Sequence, residues 1–242
     1  MSEAVILTGM VLFAAPSSEY DRRVILLTKE RGKITAFARG ARRPGSALMG
    51  AAVPFCLGRF RLFEGRSAYT LASAQIDYYF SELRTDLEGS AYGSYFMELA
   101  GYYGRENLDA SMMLNLLYVS LKALENKNLS NRLVRCVFEM RMMTINGEFP
   151  TDLAADPSLS EAARYMIAFV TASPLKTLYT FTVTEPVLEE VENIQSRILA
   201  RTLDRRMNSL DVLEALGDYS RMMEHAPAEK PETPLQENTE TV

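Results

Sequence analysis

The run RRVILLTKERGKITAFARGARR, residues 22–43, decides the fold. Val24 to Thr28 is apolar and rich in β-branched residues, which suits a pleated sheet. Glu30-Arg31-Gly32-Lys33 is short and polar, and its glycine can take the positive φ of a hairpin turn. The second strand then alternates. Lys33, Thr35, Phe37 and Arg39 point one way, and Ile34, Ala36 and Ala38 the other. One face is therefore small and apolar, while the other carries cations around an aromatic ring. Gly40 to Gly45 leaves the strand with Arg42 and Arg43 before Pro44. A cationic sheet face with an interleaved aromatic suits a nucleic-acid backbone, with room for a base to stack. The same alternation also describes an ordinary hairpin with a solvated face, so the choice needs the rest of the chain.

Outward from this hairpin, residues 4–14 read as a first strand, and Gly9 within it predicts a bulge or bend. Residues 16–21 are a polar loop. Ser46 to Ala52 is small and Ala-rich and admits one or two helical turns. Phe55 to Phe63 is a fourth strand with Leu57, Arg59, Arg61 and Phe63 opposite Phe60 and Leu62; Ser67 to Tyr78 is a fifth. Five strands with a short helix between the third and fourth match the order of an OB-fold barrel, although an SH3-like barrel has the same strand count.

From Ser81 the period becomes helical. Tyr92, Tyr95, Phe96, Leu99, Tyr102 and Tyr103 recur at three- and four-residue steps. Asp109 is placed to cap a helix through Leu124, and Ser130 to cap the next. Asn146-Gly147 followed by Pro150 stops that helix. Residues 151–160 read as loop, and 160–172, 185–203 and 209–216 as further helices. Residues 174–183 are β-rich by propensity but also compatible with a loop or short helix. The expected architecture is thus α+β with two domains: a five-stranded barrel over residues 1–80 and a helical domain over 81–224. A disordered, Pro- and Glu-rich tail is expected over 225–242.

Charge divides along the same line. Residues 1–66 hold eleven Lys/Arg against five Asp/Glu; the remainder holds fifteen against twenty-six. A basic first quarter on an acidic remainder implies a module for a polyanion joined to one for something else. Cys56 and Cys136 are far apart, and the sole histidine is His225, so the chain cannot supply the roughly four N/S ligands of a structural zinc site. The apolar stretch from Val5 to Ala15 lacks the cationic start of a signal peptide, and no run approaches the ~18 apolar residues of a membrane helix. A cytoplasmic protein, with no membrane partner, is expected. Glycine-rich phosphate loops and nucleophile elbows are missing, and His-based catalysis is implausible. The chain reads as a binder, with no catalytic residue, metal or cofactor expected.

Four stretches carry a family resemblance: VILLTKERGKITAFARGARRPGSALMG, PFCLGRFRLFEG, FEMRMMTINGEFP and LDRRMNSLDVL. In this order they resemble the RecO family of bacterial recombination-repair mediators, across most of residues 4–216. The resemblance implies an OB-fold followed by a helical domain, with binding of single- and double-stranded DNA and strand annealing. It also implies recombinase loading at gaps coated by single-stranded-DNA-binding protein, association with the nucleoid, and RecR as a partner. Another implied partner is the acidic, Phe-ending tail of the single-stranded-DNA-binding protein. One departure concerns zinc. Many relatives follow the Gly-x-x-Pro segment with a four-cysteine loop, whereas residues 154–160 here hold no cysteine. Zinc is not carried over, and packing of Leu153 and Leu159 is the expected brace.

The residues themselves nominate Arg22, Lys29, Arg31, Lys33, Arg39, Arg42, Arg43, Arg59 and Arg61 for phosphate neutralisation and Phe37 for stacking. Arg132, Arg135, Arg201, Arg205 and Arg206 are helix cations able to rim a pocket for an acidic tail. Arg205 and Arg206 are favoured because they fall in a matched stretch. Two other classes remain open: a protein-only adaptor, which would be insensitive to DNA, and a metal-dependent nuclease, which would cleave DNA with Mg²⁺.

Overall fold

Parity sorts every strand of the first eighty residues. In a computed structural model that describes residues 3–224, β1 (Ala4–Pro16), β2 (Arg22–Thr28), β3 (Gly32–Ala38), β4 (Leu57–Glu64) and β5 (Tyr69–Tyr78) close into a barrel in the order β1-β2-β3-β5-β4. That is the order of an OB-fold. Leu7, Val11, Val24, Leu26, Ile34, Ala36, Phe60, Leu62 and Leu71 fill the interior. Their strand neighbours point outward. The tail expected to be disordered, with His225, lies outside the described residues.

β1 serves two sheets. Ala4 to Met10 pair with β4, and Gly9 to Pro16 pair with β2. Gly9 is the crossing point, paired with both Thr28 and Gly58. A Cβ there would sit 2.5 Å from the Leu27 carbonyl oxygen, so the approach of β2 requires glycine. The expected irregularity lies elsewhere: the register shifts between Val11 and Phe13, making Leu12 the extra residue. Closure is completed by a short parallel seam, Ala36↔Tyr69 and Phe37↔Thr70.

The segment joining β3 to β4 is a correction to the expected short helix. Residues 46–52 form successive turns, with Met49 N–H bonding Ser46 O and Ala52 N–H bonding Leu48 O. Gly45 and Gly50, with Pro44 and Pro54 at either side, leave too little continuous helix-former to propagate. The segment plugs the barrel end with Leu48, Ala52 and Cys56.

Among the described residues seven helices follow: α1 (Ser81–Thr85), α2 (Leu87–Tyr103), α3 (Ser111–Leu124), α4 (Asn131–Ile145), α5 (Glu161–Ala172), α6 (Glu185–Thr202) and α7 (Asn208–Glu224). Residues 151–155 and 175–177 form 3₁₀ turns, so the β-rich propensity of 174–183 does not produce a strand. Asp86 caps α2 by accepting from Gly89 N–H, and Ser160 caps α5 by accepting from Ala163 N–H. Asp109 lies one residue outside the observed cap, where its carboxylate accepts from Ser111. Ser130 is the N-cap of α4 by position, without a side-chain bond. Arg141 is buried and donates to the carbonyls of Val170, Thr171 and Ser173, which satisfies the C-terminal end of α5. Leu153 and Leu159 pack half-buried against the helical core.

Barrel and helices share that core. Met10, Leu12, Leu27 and Phe55 face away from the barrel interior and are buried among α2, α3 and α4 residues. The β2–β3 turn is bonded to the segment between α2 and α3. Lys33 N–H bonds Arg105 O, Asn107 N–H bonds Arg31 O and Ala110 N–H bonds Lys29 O.

Candidate nucleic-acid interface

β3 presents Lys33, Thr35, Phe37 and Arg39 on its outer side, as its alternation predicts. These four have different surroundings. Lys33 is half-buried and its ammonium donates to Gly101 O at 2.6 Å, in the last turn of α2. Burial, with Arg105 and Arg205 nearby, lowers its pKa. Phe37 keeps 37% of its surface exposed. Arg39 is exposed and close to Asp21.

Arg39, Arg42 and Arg43 gather around the β1–β2 loop. Arg42 donates to the carbonyls of Ser18 and Glu19, and its own N–H bonds Tyr20 O. The Arg43 guanidinium lies 5.0 Å from the Tyr20 ring centroid. Asp21 accepts from Gly40 N–H at 2.8 Å. That bond holds its carboxyl below the usual range, helped by Ser18, Arg39 and Arg43. The Asp21 charge thus partly offsets those of Arg39 and Arg43, while Arg42 is held by backbone carbonyls.

The other nominated cations are dispersed. Arg22 shares the parity of Val24 and Leu26, and its guanidinium donates to Met49 O and Ala52 O, closing the barrel end. Lys29 and Arg31 sit in the β2–β3 turn against the α2–α3 segment. Arg59 and Arg61 face outward on β4, opposite Thr8 and Ile6 of β1. The nominated set therefore divides between the β1–β2–β3 sheet and the β1–β4–β5 sheet.

Three residues outside the nominated set lie beside it. Arg23 is exposed and lies directly across from Phe37. Its parity with Ile25, opposite to that of Val24, is the signal that finds it. Phe63 is exposed on β4, with Arg61 5.7 Å from its ring centroid. Arg105 comes from the α2–α3 segment and has no local signal, because only tertiary bonding brings it to β3.

A cleft of about 1010 Å³ separates the outer side of β1–β2–β3 from the helices. Leu12, Phe13, Ile25, Phe55 and Met97 give it apolar walls, and Arg23, Lys33, Arg105 and Arg205 give it cations. Arg205 also lies 5.5 Å from the Tyr102 ring centroid. Arg206, its neighbour, turns away and pairs with Asp211 and Glu214. Arg132 pairs with Glu185 and Glu192, and Arg135 with buried Glu139. Of the five cations expected on helices, Arg205 lines this cleft, and it stands in the connection between α6 and α7 and not on a helix.

The model for "Recombination protein O N terminal" matches residues 1–80, and that for "Recombination protein O C terminal" matches 84–151. The chain belongs to the RecO family. It is 28% identical to the DNA repair protein RecO of Acetivibrio thermocellus over 241 residues, covering 86% of this chain and 96% of that one. It is 33% identical to the protein of the same name from Alkaliphilus metalliredigens over 142 residues, 59% of this chain and 58% of the relative. The same name belongs to a Desulforudis audaxviator protein, 37% identical over 142 residues, 59% of this chain and 56% of that one. The RecO models end at residue 151, so Arg205, Arg206 and helices α5 to α7 lie beyond the matched segments. Among the described residues no three His, Cys, Asp or Glu are grouped to hold a metal. No helix there is long and apolar enough to cross a membrane.

Proposed function

We propose that this RecO-family chain is a DNA-repair and recombination mediator. It binds single- and double-stranded DNA on the outer side of its barrel, anneals complementary strands and helps load a recombinase at gaps coated by single-stranded-DNA-binding protein. RecR and the acidic tail of the single-stranded-DNA-binding protein are its proposed partners, and the cytoplasm, at the nucleoid, its place of action. One observation carries the reading: exposed Arg23 and Phe37 abreast on the sheet, beside the Arg39, Arg42 and Arg43 group. Guanidinium groups hold phosphates and release counterions; a half-exposed ring accepts any base. Annealing requires no bond chemistry. It requires two backbones brought close with their charge screened and their base edges free, and cations that grip only the backbone meet that need. For the acidic tail, the cleft walls suit an apolar side chain and Arg205 suits its carboxylates.

The test is fluorescence anisotropy with labelled single-stranded DNA across a salt series, wild type beside Arg39→Ala/Arg42→Ala/Arg43→Ala. Each phosphate contact on a single strand contributes about −0.7 to the slope of log K against log salt. Removing three contacts flattens the slope by roughly 2. An unchanged slope removes these arginines from the interface, and no binding at low salt leaves the protein-only adaptor.

A further inference from the structure

The register around the barrel seam places four outward residues abreast. Arg23 is opposite Phe37, Phe37 opposite Thr70, and Thr70 opposite Phe63. Neighbouring strands lie about 4.8 Å apart, so the backbones bearing the two phenylalanines are roughly 10 Å apart. Both rings keep more than a third of their surface in contact with solvent, at 37% and 36%. Thr70, between them, is short and carries a hydroxyl. Arg23 flanks the first ring, and Arg61 lies over the second. Among the described residues none of Arg23, Arg39, Arg59 and Arg61 takes part in an ion pair.

We infer that the nucleic-acid track does not end at Phe37 but crosses the β3–β5 seam, and that Phe63 is a second stacking position for a single strand. This rests on the proposed function and extends its site. One base lies on Phe37 and a later base on Phe63. The backbone between them passes the Thr70 hydroxyl and meets Arg61, then Arg59 on the same strand face. The row joins the β4 cations to the β3 cations, which the strand order otherwise keeps on separate sheets. Stacking selects the ligand. The backbones of the two positions stand about three nucleotide rises of 3.4 Å apart, and a base whose face lies on a side-chain ring has given up a neighbour in its own stack. A closed duplex cannot occupy both rings; an extended single strand can.

The chain has no tryptophan, which gives a direct readout. Phe37→Trp and Phe63→Trp each carry the sole indole, on an outward position where a larger ring meets no core. Titration with a fifteen-residue oligothymidylate is expected to quench both, with recovery on adding salt; equimolar duplex is expected to leave Phe63→Trp unquenched. Phe63→Ala is expected to bind the oligonucleotide at least about five-fold more weakly, the low end of the loss from removing one stacked base. Phe63→Tyr is expected to bind as wild type. Quenching at position 37 alone, with wild-type binding by Phe63→Ala, overturns the second position and leaves the proposed function standing. Equal quenching by duplex overturns the single-strand selectivity. Silence at both positions together with no anisotropy change overturns the proposed function, and this inference with it.

Discussion

Strand parity sends Arg22 and Arg23 to opposite sides of β2, and their chemistry follows. Arg22 is half-buried, with two backbone carbonyls as its partners. Arg23 is exposed beside Phe37. Removing the first leaves the Met49 and Ala52 carbonyls without their donor; removing the second leaves nothing unsatisfied. Arg22→Ala is therefore expected to cost about 1–2 kcal/mol, as charged hydrogen bonds at a part-solvated site do. DNA affinity per folded molecule should be kept. Arg23→Ala should leave the denaturation midpoint in place and reduce the salt slope by about one phosphate contact. Urea titrations and anisotropy on both variants separate these effects; equal loss of stability in the two would contradict the parity assignment. The alternation of Val24, Ile25 and Leu26 already contains this distinction. A count of cations does not, because it treats every arginine near a barrel as surface. The buried group of Glu139 was less legible. Its carboxylate accepts from the Tyr95 hydroxyl at 2.6 Å, from Arg135 at 2.8 Å and from Gln195, which converge from three helices. Only the Arg135–Glu139 spacing of four residues is visible in one dimension.

At the scale of elements, local patterns locate strands and helices well and their irregularities less well. The β2–β3 hairpin and the α2, α3 and α4 stripes follow directly from period. The bulge falls at Leu12 and not at Gly9, because the glycine answers a different demand, close passage of β2 at the crossing of two sheets. That demand comes from a partner strand and leaves no local trace. Caps are the element feature easiest to test. Asp86 accepts from Gly89 N–H and from Lys127, and its pKa is lowered first by the Lys127 bond and then by Gly89. The Lys127 pair is largely exposed and screened, so most of the stabilisation belongs to the cap. Asp86→Ala is expected to cost about 1 kcal/mol at neutral pH. A carboxyl with a depressed folded-state pKa contributes fully above its unfolded value and loses that contribution as pH falls through the folded one. The difference between wild type and Asp86→Ala should therefore narrow as pH falls below about 4. Urea unfolding at several pH values measures it; a difference constant down to pH 3 would assign the effect to lost packing.

At the scale of the molecule, the charge divides near residue 66 and the period changes near residue 80, and both encourage a picture of two independent units. Packing argues otherwise. Met10, Leu12, Leu27 and Phe55 belong to the barrel by sequence and to the helical core by contact. The β2–β3 turn is bonded three times to the α2–α3 segment, where a Cβ on Gly32 (φ +63°) would lie 2.0 Å from the Arg105 carbonyl oxygen. Burying a large apolar side chain contributes about 1.5–3 kcal/mol. Stripping the helices away would return four such side chains to water, a loss of roughly 6–12 kcal/mol. That is comparable with the entire stability of an ordinary domain, about 5–15 kcal/mol. Residues 1–80 alone are therefore expected to lack a cooperative unfolding transition. The intact chain is expected to unfold in one step, with helical circular dichroism and the fluorescence of Phe37→Trp changing at the same urea concentration. A cooperative fragment, or two separated midpoints in the intact chain, would establish that the barrel is stable without the helices. In the coupled case, a contact made on the outer side of β3 is felt through Lys33 and the β2–β3 turn at the end of α2. DNA on the barrel and a protein on the helices would then act on one cooperative body, each altering the stability on which the other depends.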